Sequence, residues 1–175
     1  PESFYILPLL PNQMDLEKLQ KAVMQQALEK GFGTKPGEII VAEKIALIHS
    51  EISEAYDAFF EQGRNHFYEE VGDILQRVLH LGGVFGISFA VRVIIIPKAI
   101  DSQIAALHKI TSEAYEFYRH QEDRKFASSL EELVCFLVAL VGYYEFNLDS
   151  AVLEKIEHNK NRQWNKVREK VSTKS

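Results

Sequence analysis

The chain has 175 residues, of which 46% are hydrophobic and 26% charged, enough for one compact domain with a hydrophobic core. Its formal net charge of −5 disfavours nucleic acid as a partner, and its single cysteine excludes an intramolecular disulfide. With only 5 Pro and 9 Gly, the composition is that of a folded, helix-rich protein rather than a disordered one.

The first part of the chain predicts two helices. Asp15 is a typical N-cap residue, and apolar residues follow it at helical spacing as far as Leu28, so a first helix is expected to end at Gly31. After residue 37 a second apolar pattern recurs with a period of 3.6 residues rather than 2. This pattern predicts a second helix that stops near Gly63.

The rest of the chain continues in the same manner, with one exception. A third helix is predicted from Asn65 until its pattern weakens at the glycines between 82 and 86. The segment ISFAVRVIIIP, residues 87–97, fits either an extended crossover or a short strand that ends at Pro97. Three more helices are predicted over about 98–121, 125–146 and 149–170. The sequence therefore predicts an all-α fold.

An internal similarity appears when the chain is shifted by 59 residues, with 45–88 set against 104–147. The shift pairs His49 with His108 and the run SEAY at 53–56 with the same letters at 112–115. We interpret this as an old duplication of a helical hairpin, with repeat one at about 37–88 and a degenerate repeat two at about 98–147. It predicts a single domain, 1–175, with a four-helix-bundle core, pseudo-twofold symmetry and a basic C-terminal helix at about 149–170. The alternative is that two hairpins share a pattern by chance.

The sequence also favours a cytoplasmic protein without membrane contact. No stretch is expected to reach the ~18–20 apolar residues of a membrane helix, and the N-terminal FYILPLLP lacks the basic leader and cleavage pattern of a signal peptide. Cys135 lies in the apolar run LVCFLVAL, which predicts a buried core thiol rather than a reactive one.

Two acidic pairs with three-residue spacing border the apolar stripes of neighbouring predicted helices. They are Glu51 with Glu54, and Glu70 with Asp73. Residues three apart lie on nearly the same helix face, and a short turn near Gly63 would bring both pairs to one level. Four converging carboxylates repel one another unless protons or cations lie between them, and oxygen ligands suit hard cations such as Mg²⁺ or Mn²⁺. The alternative from spacing alone is four ordinary solvated carboxylates.

Four segments carry a combination of motifs in a fixed order. They read LQKAVMQQALEKGFG (19–33), EKIALIHSEISEAYDAF (43–59), EEVGDILQRVLHLGGVFGIS (69–88) and LEKIEHNKNRQW (153–164). Glu-x-x-Glu in the second is followed, after fifteen residues, by Glu-x-x-Asp in the third, and the fourth contains Lys-x-x-x-Asn-x-x-Arg. This order resembles the MazG-like all-α nucleoside triphosphate pyrophosphohydrolases, over about 14–88 and 146–164.

The resemblance implies that the protein hydrolyses a (deoxy)nucleoside triphosphate to the monophosphate and pyrophosphate, with Mg²⁺ as cofactor and Mn²⁺ as a substitute. Metals held by the carboxylates would bridge phosphate oxygens and lower the pKa of a bound water. The metal-binding and catalytic residues implied are Glu51, Glu54, Glu70 and Asp73.

The same resemblance implies a triphosphate-binding face near the C-terminus. Lys155, Asn159 and Arg162 stand at i, i+4 and i+7, on one face of a predicted helix, where they could bind the charge of a triphosphate. The alternative is a solvated basic tail, because seven of the chain's 20 Lys and Arg lie between 155 and 174.

The sequence departs from the family pattern in two places. Many members double the first glutamate, whereas this chain has Ser50 there, so the general base is left open. In the second repeat, the positions equivalent to the four carboxylates are Ile110, Glu113, Ser129 and Glu132. Two carboxylates of four would hold a metal poorly, so one working site per chain is predicted.

Two other classes of protein compete with this interpretation. A di-iron carboxylate bundle expects Glu-x-x-His, and none of the six histidines stands three residues after a glutamate. A non-catalytic nucleotide-binding or interaction protein on a degenerate MazG-like scaffold is the second alternative. His49 is predicted to be structural, and Arg77 either orients Asp73 or forms a surface pair. The nucleotide's base and sugar, and whether the fused repeats form a homodimer, are left open.

Overall fold

A computed structural model of the chain describes residues 4–5, 15–147, 150, 152–153 and 155–157. Most of this part is helical, which confirms the predicted all-α class. The long helices are α1 (Leu16–Lys30), α2 (Val41–Asp57), α3 (Arg64–Val84), α4 (Ile100–Arg119) and α5 (Asp123–Tyr144). The two strands, β1 (Phe4–Tyr5) and β2 (Ile96–Pro97), pair antiparallel.

The predicted ends of α1 are confirmed in atomic detail. The Asp15 carboxylate accepts a hydrogen bond from the backbone N–H of Lys18 at 2.9 Å, as an N-cap residue does. At the other end Gly31 has φ of 69°, a left-handed conformation that glycine adopts without strain. The apolar spacing placed Leu28 on the buried face of this helix, but Leu28 is 64% exposed.

Helices α2 and α3 form a hairpin through one irregular turn. Residues Ala58–Gln62 continue α2 as a π-helical turn, and Gly63, with φ of 92°, reverses the chain. Phe59 lies against Phe67 close to the turn, while Glu51 contacts Arg77 further from it, so the two helices are antiparallel. The predicted stop at Gly63 is confirmed.

Helices α4 and α5 pack on each other, and α2 packs on α4. Where α2 meets α4, His49 and His108 stack with their Nδ1 atoms 2.6 Å apart. The prediction that His49 is structural is thereby confirmed. The core between the helices includes the fully buried Leu130, Leu133 and Leu137 of α5.

The segment of uncertain type proves to be mainly a connection. Residues 87–95 have neither helix nor strand, and only Ile96–Pro97 at its end forms a strand, with Phe4–Tyr5 as partner. Both predicted alternatives therefore apply, the crossover to most of the segment and the strand to its last two residues.

Helix α5 is the most apolar element of the part of the chain that the structure describes. By length and mean hydropathy it could cross a membrane, so the expectation that no stretch was apolar enough was wrong. However, 61% of the apolar window is buried inside the molecule, as in the core helix of a globular protein. Cys135, within this helix, is 1% exposed, which confirms the predicted buried thiol.

The C-terminal helical segment is defined here by residues 150, 152–153 and 155–157, which are helical. Val152 and Ile156 are buried in the common core. The rest of the helix predicted over 149–170, including Asn159 and Arg162, lies outside the described residues.

Candidate metal centre

Three carboxylates from two helices converge at one point of the molecule. Glu51 of α2 meets Glu70 and Asp73 of α3, and one oxygen of each lies within 4.8 Å of the others. Glu70 and Asp73 share a helix face because they are three residues apart, and the α2–α3 hairpin brings Glu51 to their level. These three residues are called the carboxylate triad below.

The fourth predicted carboxylate stands at the rim. Glu54 lines the same pocket as the carboxylate triad, but it is exposed and is not one of the three clustered residues. Its Oε1 accepts a hydrogen bond from Ser50 Oγ at 3.1 Å, one turn earlier on α2. This contact holds Glu54 along the outer side of the helix, so three of the four predicted carboxylates are brought together.

Two cations neutralise part of the carboxylate triad. Arg77 donates two hydrogen bonds to Oε1 of Glu51, from Nε at 3.1 Å and Nη2 at 2.9 Å. Lys155, on the C-terminal helical segment, places Nζ 2.5 Å from Oδ2 of Asp73. The sequence predicted neither partner: Arg77 was expected to orient Asp73 or to form a surface pair, and Lys155 to bind phosphate.

Glu70 is different because one of its oxygens has no partner. Its Oε2 is buried and accepts no hydrogen bond from the part of the chain that the structure describes. Burial, and after it the charge of Asp73, raises the pKa of Glu70 to about 7, against the opposing effect of Lys155. The arrangement therefore has space and negative charge for a cation beside Glu70.

Burial also affects the other two members of the triad. It raises the pKa of Glu51 and of Asp73. Arg77 opposes the rise at Glu51, and Lys155 and then Arg77 oppose it at Asp73. Such perturbation of several neighbouring acids is typical of functional sites, although ion-pair networks also produce it.

The carboxylate triad lines a pocket of about 180 Å³ between α1, α2, α3 and the C-terminal helical segment. Val23, Ala27 and Phe32 form the apolar part of its lining. The pocket thus joins an acidic floor to apolar side chains, which suits a cation on the floor and a less polar ligand body beside it.

Polar residues that the sequence did not single out complete the pocket wall. Gln76 Nε2 donates to Gln26 Oε1 at 2.6 Å, and Gln26 Nε2 donates to the Ile156 carbonyl at 3.0 Å. His80 Nε2 donates to the Gly33 carbonyl at 2.8 Å, and burial lowers its pKa. Helical spacing from Asp73 predicts the side of α3 on which Gln76 and His80 lie, but not their partners on other elements.

The predicted second repeat, at about 98–147, has no corresponding cluster. Ile110 and Ser129 are buried, Glu113 lies 3.7 Å from Lys109 on its own helix, and Glu132 is exposed. Among the described residues, the carboxylate triad is the only group of three or more acidic, His or Cys side chains close enough to hold a metal.

The fold and the site together define an all-helical protein with a buried carboxylate pocket. Comparisons of the chain with protein-family profiles, with curated proteins and with solved structures found no match.

Proposed function

We propose that the protein is a Mg²⁺-dependent pyrophosphohydrolase that converts a (deoxy)nucleoside triphosphate to the monophosphate and pyrophosphate. The observation that carries the proposal is the carboxylate triad, with oxygens within 4.8 Å of one another and a buried Glu70 oxygen that lacks a partner. The resemblance of four segments to MazG-like enzymes supplies the reaction. We also propose that the protein is cytoplasmic and acts on the free nucleotide, without nucleic acid or a membrane.

The residues present fit a hard divalent cation. All three ligands are carboxylate oxygens, which Mg²⁺ and Mn²⁺ prefer. Both Arg77 hydrogen bonds end on Oε1 of Glu51, so the second Glu51 oxygen remains for an ion, as does the unpartnered Oε2 of Glu70. A bound ion would neutralise phosphate charge and make a coordinated water more acidic.

The chain's own residues would bind and orient the substrate. Glu54, at the exposed rim, is placed to join the ligands when an ion enters or to hold a water for attack. Lys155 supplies a positive charge at the pocket; Arg162 would add a second positive charge and Asn159 a hydrogen-bonding amide, both from outside the described residues. Because about 180 Å³ is below the roughly 300–1,000 Å³ of most ligand pockets, the pocket would hold the phosphate end.

We further propose that the scaffold is the predicted four-helix bundle of two fused repeats with one working site. The stacked His49 and His108 are the residues that the 59-residue shift pairs. Ser53 Oγ donates to the His49 carbonyl and Ser112 Oγ to the His108 carbonyl, the same hydrogen bond in each repeat. A pseudo-twofold axis between α2 and α4 would explain both features.

A non-catalytic nucleotide-binding or interaction protein is the second candidate. Arg77 on Glu51 and Lys155 on Asp73 already neutralise two of the three carboxylates without a metal. A scaffold that no longer binds metal would need this kind of internal compensation. Metal binding and turnover distinguish the two candidates.

The test is pyrophosphate release from a panel of ribo- and deoxyribonucleoside triphosphates with Mg²⁺. We expect activity in the native chain and a loss of about 100-fold or more in Glu70→Gln, because the substitution removes a charged ligand. Glu69→Gln is the matched control, since it makes the same change at the preceding, exposed position. Absence of turnover with every triphosphate, or equal activity of Glu70→Gln, would overturn the proposal.

A further inference from the structure

Lys155 reaches the carboxylate triad from a firmly anchored turn of helix. Its neighbours Val152 and Ile156 are 0% and 7% exposed, and Gln26 holds the Ile156 carbonyl at 3.0 Å. The Lys155 side chain itself is 27% exposed and lines the pocket. Rotation about its four-carbon stem can therefore move the ammonium while the backbone keeps its position.

The ammonium lies on one of the three carboxylates that would hold a metal ion. Its Nζ is 2.5 Å from Asp73 Oδ2, and Asp73 is one of the three residues whose oxygens converge. A divalent ion at the triad and an ammonium on the same carboxylate would repel each other at short distance in a partly dry site. The two cations therefore compete for Asp73, and the ammonium has a flexible stem on which it can leave.

Arg77 is held differently and is the less exchangeable of the two cations. It donates two hydrogen bonds to one oxygen of Glu51 from a planar guanidinium, and it comes from α3, the helix that carries the rest of the triad. Its contact leaves the second Glu51 oxygen to face an ion. A metal ion is thus expected to displace Lys155 from Asp73 and to leave Arg77 on Glu51.

We propose that Lys155 is a built-in substitute for the metal, which holds Asp73 in the metal-free protein and is displaced by a divalent ion. The proposal rests on the metal centre proposed above. The displaced ammonium stays on its anchored turn beside the pocket, where the phosphate of a substrate is its next partner. Metal and phosphate then favour each other's binding, because the first releases the group that the second needs.

Reactivity of the lysine amine tests the displacement directly. The native chain is acylated with an amine-reactive ester, with and without saturating Mn²⁺, and each lysine is quantified by mass spectrometry. We expect Lys155 to react slowly without metal and several-fold faster with it, because its ion pair with Asp73 is broken. Lys109, on the exposed side of α4, is the internal control and should not change. An unchanged Lys155 rate while Mn²⁺ binds would overturn the proposal.

The second measurement is the Mn²⁺ affinity of Lys155→Met. It is determined by titration, with the electron paramagnetic resonance signal reporting the concentration of free Mn²⁺. Removal of the competitor should tighten Mn²⁺ binding by about 5-fold or more, the lower end of typical coupling between sites. Lys155→Arg keeps the charge and should stay near the native affinity, and Lys109→Met makes the same net charge change away from the site. Circular dichroism confirms that each variant is folded.

The outcomes separate this proposal from the metal centre itself. If Mn²⁺ binding is saturable and sensitive to Glu70→Gln, but Lys155→Met binds no more tightly than the native chain, the substitute role of Lys155 is wrong and the metal centre stands. If the native chain shows no saturable binding that Glu70→Gln weakens, the metal centre fails and the role of Lys155 fails with it.

Discussion

Glu70 differs from Glu51 and Asp73 in that its buried Oε2 has no hydrogen-bond partner among the described residues. Without such a partner, burial and the charge of Asp73 raise the pKa of Glu70 to about 7. At neutral pH the metal-free protein is therefore a mixture of molecules with a protonated and an ionised Glu70. A metal ligand must be ionised, so the proton and the ion compete for this residue.

The first prediction is that Mn²⁺ affinity rises with pH and levels off above about 7. Below that value one proton leaves Glu70 for each ion bound, so affinity should change by about tenfold per pH unit. The measurement is titration calorimetry at several pH values, in two buffers with different ionisation enthalpies to count the released protons. Glu69→Gln should keep this dependence. A flat profile between pH 5.5 and 7 in the native chain would contradict the role of Glu70.

At the same residue scale, the sequence predicted which carboxylates could meet but not what neutralises them. The three-residue spacing predicts that Glu70 and Asp73 share a face, as they do. The bond from Arg77 to Glu51 joins residues 26 apart on facing helices, and no local pattern indicates it. The sequence pattern predicted Glu54 as a metal ligand as strongly as Glu51. Its angular position around α2 nevertheless leaves Glu54 exposed. Burial of individual side chains depends on how the helices pack, which periodicity does not specify.

At the scale of elements, the contact between α2 and α4 contains a titratable pair. The Nδ1 atoms of His49 and His108 are 2.6 Å apart, so one ring donates a proton to the other and the two share it. Burial lowers the pKa of both histidines, and their mutual repulsion lowers that of His49 further. At a pH of about 6, the two histidines therefore bind fewer protons in the folded protein than in the unfolded chain.

The second prediction is a loss of stability with acidification that comes from this pair. A histidine whose pKa is lower in the folded state gives no penalty above its ordinary pKa of 6.5, and destabilises the fold as pH falls below that value. Urea unfolding at pH 7.5 and 5.5 should show a larger decrease for the native chain than for His108→Asn. His66→Asn, at an exposed site on α3, is the control. Equal decreases in the native chain and His108→Asn would contradict the prediction.

Helical periodicity predicted the elements well and the connections poorly. The caps at Asp15 and Gly31 and the stop at Gly63 are local signals and are confirmed. Residues 87–95 carry many β-branched side chains, which favour a strand, but among the described residues they have no neighbouring strand to pair with. Strand formation needs a partner elsewhere in the chain, and Ile96–Pro97 finds one in Phe4–Tyr5.

At the scale of the whole molecule, the carboxylate triad and Lys155 join parts of the chain that are distant in sequence. Glu51 comes from α2, Glu70 and Asp73 come from α3, and Lys155 comes from the C-terminal helical segment. This convergence is possible only in the folded protein, so an ion that binds there stabilises the folded state by mass action. The same site opposes folding when it is empty, because acidic groups are buried together.

The last prediction tests whether Glu70 is a metal ligand or an ordinary buried acid. A ligand stabilises the fold only when the ion is bound, and the same buried charge destabilises the fold when the ion is absent. Mn²⁺ at about 100 times its Kd stabilises the native chain by about 2.7 kcal/mol, which for a domain of this size raises Tm by roughly 5–10 °C. Glu70→Gln should lose most of this rise, yet melt at or above the native Tm in EDTA at pH 8, because it removes a buried charge without a partner. Glu69→Gln should behave as the native chain in both conditions. If Glu70→Gln melts lower than the native chain in EDTA and gains the same rise with Mn²⁺, then Glu70 supports the fold and the ion binds elsewhere.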